Sequence, residues 1–96
     1  MQNQYPKECF ETARARHALR PRGRPYHFLM GPCCALGFFR NIKKPPRWFA
    51  RYRLLNGRYA ECKLGYAEEL HKSLEGPTLT FEQACAAAQE WFDSPA

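Results

Sequence analysis

The sequence predicts an α+β domain: a small three- to four-stranded antiparallel sheet packed against a C-terminal helix. Three observations predict it. Asn56-Gly57 separates two strand-like runs, and this dipeptide is a strong short-range hairpin signal. Phe81, Ala84, Cys85, Ala88, Trp91 and Phe92 recur at helical spacing near the C-terminus, which makes one apolar stripe. The chain has 96 residues, 45% of them hydrophobic, so it has material for one domain with a modest core.

The elements follow in order. Residues 1–8 read as a polar tail, and Cys9 to Leu19 as a short helix with Phe10, Ala13 and His17 on one side. In Arg20-Pro-Arg-Gly-Arg-Pro25, two prolines and a glycine exclude a helix and leave a loop or extended arm. Tyr26 to Met30 reads as the first strand, Gly31-Pro32 as a turn, and Cys34 to Arg40 as the second strand. Asn41 to Pro46 is a basic loop. Trp48 to Leu55 and Arg58 to Leu64 are the strands of the Asn-Gly hairpin. A two-residue turn would set Leu55 opposite Arg58 and Leu54 opposite Tyr59. Alternation then puts Trp48, Ala50, Tyr52, Leu54 and Tyr59 on one face. Arg51, Arg53 and Arg58 take the other, with Phe49, Ala60, Cys62 and Leu64. Gly65 to Pro77 reads as an acidic, irregular loop. Thr80 is the expected N-cap of the last helix, with Gln83 completing a capping box. The helix is expected over about Phe81 to Phe92, and its stripe makes Trp91 and Phe92, like Trp48, core residues. The domain division is therefore a tail with a short helix over 1–19, a folded domain over 20–92 and a linker or truncated end over 93–96.

Charge is distributed unevenly. The net charge is +6, yet residues 14–63 hold thirteen Lys and Arg against the single acid Glu61, while residues 64–96 hold Lys72 against six acids. A block this one-sided is an electrostatic footprint for a polyanion. Alternate arginines at Arg20, Arg22 and Arg24 give the extended arm several cationic tips, suited to phosphates or a minor groove.

Several functions are disfavoured. The histidines His17, His27 and His71 do not stand at metal-ligand spacing with a cysteine or an acid. The cysteines Cys9, Cys33, Cys34, Cys62 and Cys85 form no C-x-x-C pair, and free thiols in a reducing cytoplasm are the expected state. Phosphate-loop and dinucleotide fingerprints are missing. No cofactor, metal or catalytic group is expected. The N-terminus has no secretory pattern, and the apolar runs fall short of a membrane span.

Two groups of motifs carry a resemblance. Leu19-Arg-Pro-Arg-Gly-Arg-Pro-Tyr26 is followed by Leu36-Gly37-Phe38. Trp48-Phe-Ala-Arg-Tyr-Arg53 is followed by Asn56-Gly57-Arg58-Tyr59, Lys63-Leu64-Gly65 and Leu79-Thr-Phe-Glu-Gln-Ala84. In this order they resemble the N-terminal arm-type DNA-binding region of phage-integrase-like tyrosine recombinases, over about residues 14–92. The resemblance implies a sheet backed by a helix and laid in the DNA major groove, with Arg51, Arg53 and Arg58 toward DNA. Gly-Pro-Cys-Cys at residues 31–34 departs from the polar turn usual in that family. The helical core-binding domain and the catalytic domain, with its nucleophilic tyrosine, have no counterpart in these 96 residues.

The functional expectation is thus a non-catalytic module that binds double-stranded DNA, cytoplasmic and not membrane-bound, with possible contacts to further recombinase domains or protomers. The expected DNA-binding residues are Arg20, Arg22, Arg24, Arg40, Lys43, Lys44, Arg51, Arg53, Arg58 and Lys63. The alternatives are a protein–protein interaction module, an inactive remnant of a degraded integrase gene, and RNA binding through the basic sheet.

Overall fold

A computed structural model describes residues 5–69 and 78–94. The fold is α+β, but the sheet has five strands rather than three or four and is mixed rather than antiparallel. Its order is β1 (Tyr26–Gly31), β2 (Cys34–Phe39), β3 (Arg47–Arg53), β4 (Tyr59–Ala67) and β5 (Thr78–Leu79). The first four form an antiparallel meander, and the two-residue β5 adds parallel to β4. The expected irregular stretch from Gly65 to Pro77 is corrected at its start: Gly65 to Ala67 continue β4, with Trp48 opposite Gly65. Thr78-Leu79, given no element by the sequence, pair with Tyr66 and Ala67. Residues 70–77, including His71, lie outside the described residues.

The β1–β2 turn falls at Pro32-Cys33, one residue later than expected. Proline at the first turn position and a positive φ of 64° at Cys33 follow the type II pattern.

The hairpin between β3 and β4 turns at Asn56-Gly57, but through a three-residue loop. Gly57 N–H donates to the Leu54 carbonyl at 3.0 Å, and Leu54 N–H to the Arg58 carbonyl at 2.7 Å. Among the described residues positive φ falls on Gly57 (85°) and not on Asn56, as in a type I turn followed by a left-handed glycine. Arg53 therefore opposes Tyr59, Arg51 opposes Glu61, and Ala50 opposes Cys62. A one-residue slip moves every side chain of a strand to the other face. The expected face assignment of β4 is accordingly reversed: Ala60 and Cys62 share the side of Trp48, Ala50 and Tyr52, while Tyr59, Glu61 and Lys63 share the side of Arg51 and Arg53. Arg58, opposite Leu54, leaves the arginine side.

The last helix, α2 (Phe81–Asp93), has the expected Thr80–Gln83 capping box. Phe81, Ala84 and Ala88 of its stripe are buried against the sheet. The core joins them to Phe10, Tyr26, Leu36, Phe38, Trp48, Ala50 and Ala67. Trp48 is fully buried, and its indole N–H donates to the Leu79 carbonyl at 2.9 Å, tying β3 to β5. Trp91 and Phe92 are only half-buried, at the far end of the helix against Tyr52. Packed against Tyr52 and only partly enclosed, these two rings rim the core rather than fill it.

The N-terminal segment is a 3-10 turn (Lys7–Cys9) followed by α1 (Ala13–His17), capped by Thr12. It belongs to the interior. Phe10 is fully buried, and Arg16 rather than His17 is the buried side chain of α1. Arg16 Nη1 donates to the Phe10 carbonyl at 2.7 Å, Nη2 lies 3.2 Å from both the Glu68 carbonyl and its Oε1, and the guanidinium sits 5.1 Å from the Trp48 ring. Burial pulls its pKa below the ordinary arginine value, while Glu68 opposes the shift. No division of the core falls at residue 19.

Candidate nucleic-acid interface

Helix α2 covers the face of Phe28, Leu36, Trp48 and Ala50; the opposite sheet face bears the charge. Its rows follow from the strand register. Phe39 lies opposite Arg47, Gly37 opposite Phe49, and Ala35 opposite Arg51, and β4 continues these rows with Lys63 beside Phe49 and Glu61 beside Arg51. Arg53 lies beside Tyr59 at the hairpin end. On the outer side, His27 and Leu29 of β1 complete the two inner rows.

The rows are packed by side chains reaching across strands. The Phe49 ring occupies the space above Gly37 so fully that a Cβ there would collide with it. Only glycine leaves that space free. The His27 ring meets Phe49 edge-on at 5.9 Å. Arg47 lies over Phe39, 5.3 Å from its centroid.

Arg51 is the most constrained cation on this face. Its guanidinium carbon lies 3.6 Å from the Tyr59 ring centroid, Nη1 is 3.1 Å from His27 Nε2, and Nε faces Glu61 Oε2 at 3.6 Å. The last distance is an ion pair, too long for a hydrogen bond. A guanidinium has only donors, so His27 Nε2 must accept and its proton resides on Nδ1. Burial lowers the His27 pKa, with Arg51 and Arg22 acting in the same sense against Glu61. A cavity of about 330 Å³, lined by His27, Leu29, Cys33, Arg51, Arg53 and Tyr59, opens beside this cluster.

The expected DNA-binding residues divide into three groups. Arg51, Arg53 and Lys63 share the open face. Arg58, Lys43, Lys44, Arg20 and Arg24 are exposed on turns and loops outside the strands. Arg22 and Arg40 are engaged internally. The Arg22 guanidinium stacks 3.7 Å from the Tyr26 centroid and donates to the carbonyls of Arg24 and Pro25, both at 2.9 Å. Arg40 Nε donates to the Leu19 carbonyl at 2.7 Å, and Arg22 N–H to the Arg40 carbonyl at 3.0 Å. The Arg20–Pro25 stretch is thus bound back onto the sheet, and Arg22 is not a free tip of an extended arm.

Sequence reasoning missed Arg47, Tyr59, Glu61 and His27 as members of this face. Arg47 was within reach, since it continues the alternate series of Phe49, Arg51 and Arg53. Among the described residues no group of three or more His, Cys, Asp or Glu side chains could hold a metal, and the five cysteines are unpaired thiols. No described helix is long and apolar enough to cross a membrane. No family model, curated protein or solved structure matches the chain.

Proposed function

We propose that the chain is a non-catalytic module that binds double-stranded DNA through the open sheet face, in the manner implied by its resemblance to the arm-type region of tyrosine recombinases. The observation that carries this reading is the sidedness of the sheet. One face is sealed by α2, and the other displays Arg47, Arg51, Arg53 and Lys63 from two neighbouring strands, interleaved with Phe49 and Tyr59. Strands lie about 4.8 Å apart, so a ribbon of two or three fits a major groove about 12 Å wide. Cations on such a ribbon meet phosphates on either wall and release counterions.

The test is the triple variant Arg47→Ala, Arg53→Ala and Lys63→Ala, measured against duplex DNA over a range of salt concentrations. Each lost phosphate contact flattens the plot of log affinity against log salt by about 0.9. Weaker binding with a flatter slope in a folded variant is expected. Unchanged affinity and slope would overturn the assignment to this face, and absence of duplex binding at low salt would favour a protein partner.

A further inference from the structure

Not all four cations of the open face are placed alike. Arg53 and Lys63 are exposed on the strands. Arg51 is held on three sides: by the Tyr59 ring at 3.6 Å, by His27 at 3.1 Å and by Glu61 at 3.6 Å. We infer that Arg51 is the specificity-determining residue of this face, reading the O6/N7 edge of a guanine in the major groove, while Arg47, Arg53 and Lys63 contact phosphates. The inference rests on the DNA-binding reading above.

Two physical arguments carry it. The first is orientation. A phosphate offers oxygens in several directions and tolerates a cation on a loose stem, whereas a guanine edge needs two parallel N–H donors in one plane. The Tyr59 ring fixes the plane of the Arg51 guanidinium, and His27 and Glu61 fix its rotation within that plane. The donors remaining on the terminal nitrogens still form a fork. Guanidinium groups stack on aromatic faces in a way that an ammonium does not reproduce, so the site selects arginine rather than positive charge.

The second is the place of Glu61. It is the single acid among residues 14–63, and it stands directly opposite Arg51 on the neighbouring strand. A carboxylate beside a phosphate is repelled. A base edge carries no net charge, and the N4 amino group of cytosine donates to carboxylates. The position of Glu61 therefore marks the part of the face that meets bases, with Arg51 at its centre.

The experiment is selection from a duplex pool with a randomised core, using the wild type, Arg51→Lys and Tyr59→Leu. It is followed by competition between the selected duplex and copies with each guanine replaced. The wild type is expected to enrich a core containing guanine. Arg51→Lys keeps the charge and should lose about ten-fold in preference at one guanine position, with the salt slope unchanged and the domain still folded. Tyr59→Leu, which touches no DNA charge, should lose part of the same preference; this is the signature of a positioning residue. Three results would overturn the inference: retention of the full preference by Arg51→Lys, a flattened salt slope in that variant, or no sequence preference in the wild type. Failure of the wild type to bind any duplex at low salt is a different result, because it removes the DNA-binding reading together with the inference.

Discussion

Arg16 and Glu68, separated by most of the sheet in sequence, meet with Nη2 3.2 Å from Oε1, and the arginine is almost wholly buried while its partner is not. The asymmetry has an energetic consequence. Removing Arg16 leaves the buried Phe10 carbonyl without its donor and opens a space beneath Trp48. Removing the Glu68 side chain leaves Arg16 bonded to two backbone carbonyls.

Arg16→Ala is therefore expected to cost about 2–5 kcal/mol, from the cavity it opens and the buried carbonyl it leaves without a donor. Glu68→Ala should cost less, because Arg16 keeps its two backbone acceptors and the lost partner is a half-exposed carboxylate. Denaturant midpoints of the two variants provide the check. Equal losses would show that the ion pair, rather than the backbone contacts of Arg16, holds the N-terminal segment.

The two tryptophans should also separate. Trp48 is fully enclosed and bonded to the Leu79 carbonyl, so Trp48→Ala should cost about 3–5 kcal/mol and unfold a domain of this size at moderate temperature. Trp91 is half-buried against Tyr52, and Trp91→Ala should cost about 1–2 kcal/mol. Calorimetric scans of both variants would decide, and a larger loss at Trp91 would contradict the assigned core.

The pH response of His27 follows from its lowered pKa. The folded state binds its proton less readily than the unfolded chain. Its contribution to stability is complete above the unfolded value of about 6.5 and is lost as pH falls below it toward the lower folded value. Protonation also ends acceptance of the Arg51 donor at Nε2. The wild type should thus lose more thermal stability between pH 7.5 and 5 than His27→Gln, whose side-chain oxygen still accepts from Arg51. Parallel melting curves for the two proteins would refute the assignment.

Local signals in the sequence were legible where a single segment determines the outcome. The Thr80–Gln83 capping box and the stripe from Phe81 to Ala88 set α2, and Asn56-Gly57 set the place of the hairpin turn. The register was misread because the same dipeptide serves a two-residue turn, with both residues at positive φ, and a three-residue loop in which only Gly57 takes it. A discriminating signal was present in β4. Ala60, Cys62 and Leu64 alternate with Tyr59, Glu61 and Lys63, and burying the apolar set beside Trp48 requires the longer loop. Arg16 and Arg22 were illegible for another reason. Within a block of cations each reads as surface, and only the fold brings carbonyls and aromatic rings around a particular guanidinium. The strand Thr78-Leu79 was missed because two residues carry no periodicity.

The burial of Phe10 and Arg16 bears on how portable this unit is. A fragment begun at Arg20, where proline and glycine suggest a natural cut, would carry the whole sheet and α2 and yet be gutted, with Trp48 uncovered on the side where α1 now lies. Residues 5–19 behave as a plug in the core. Any fusion or graft of the basic sheet onto another protein has to bring that plug along, or supply a replacement for it.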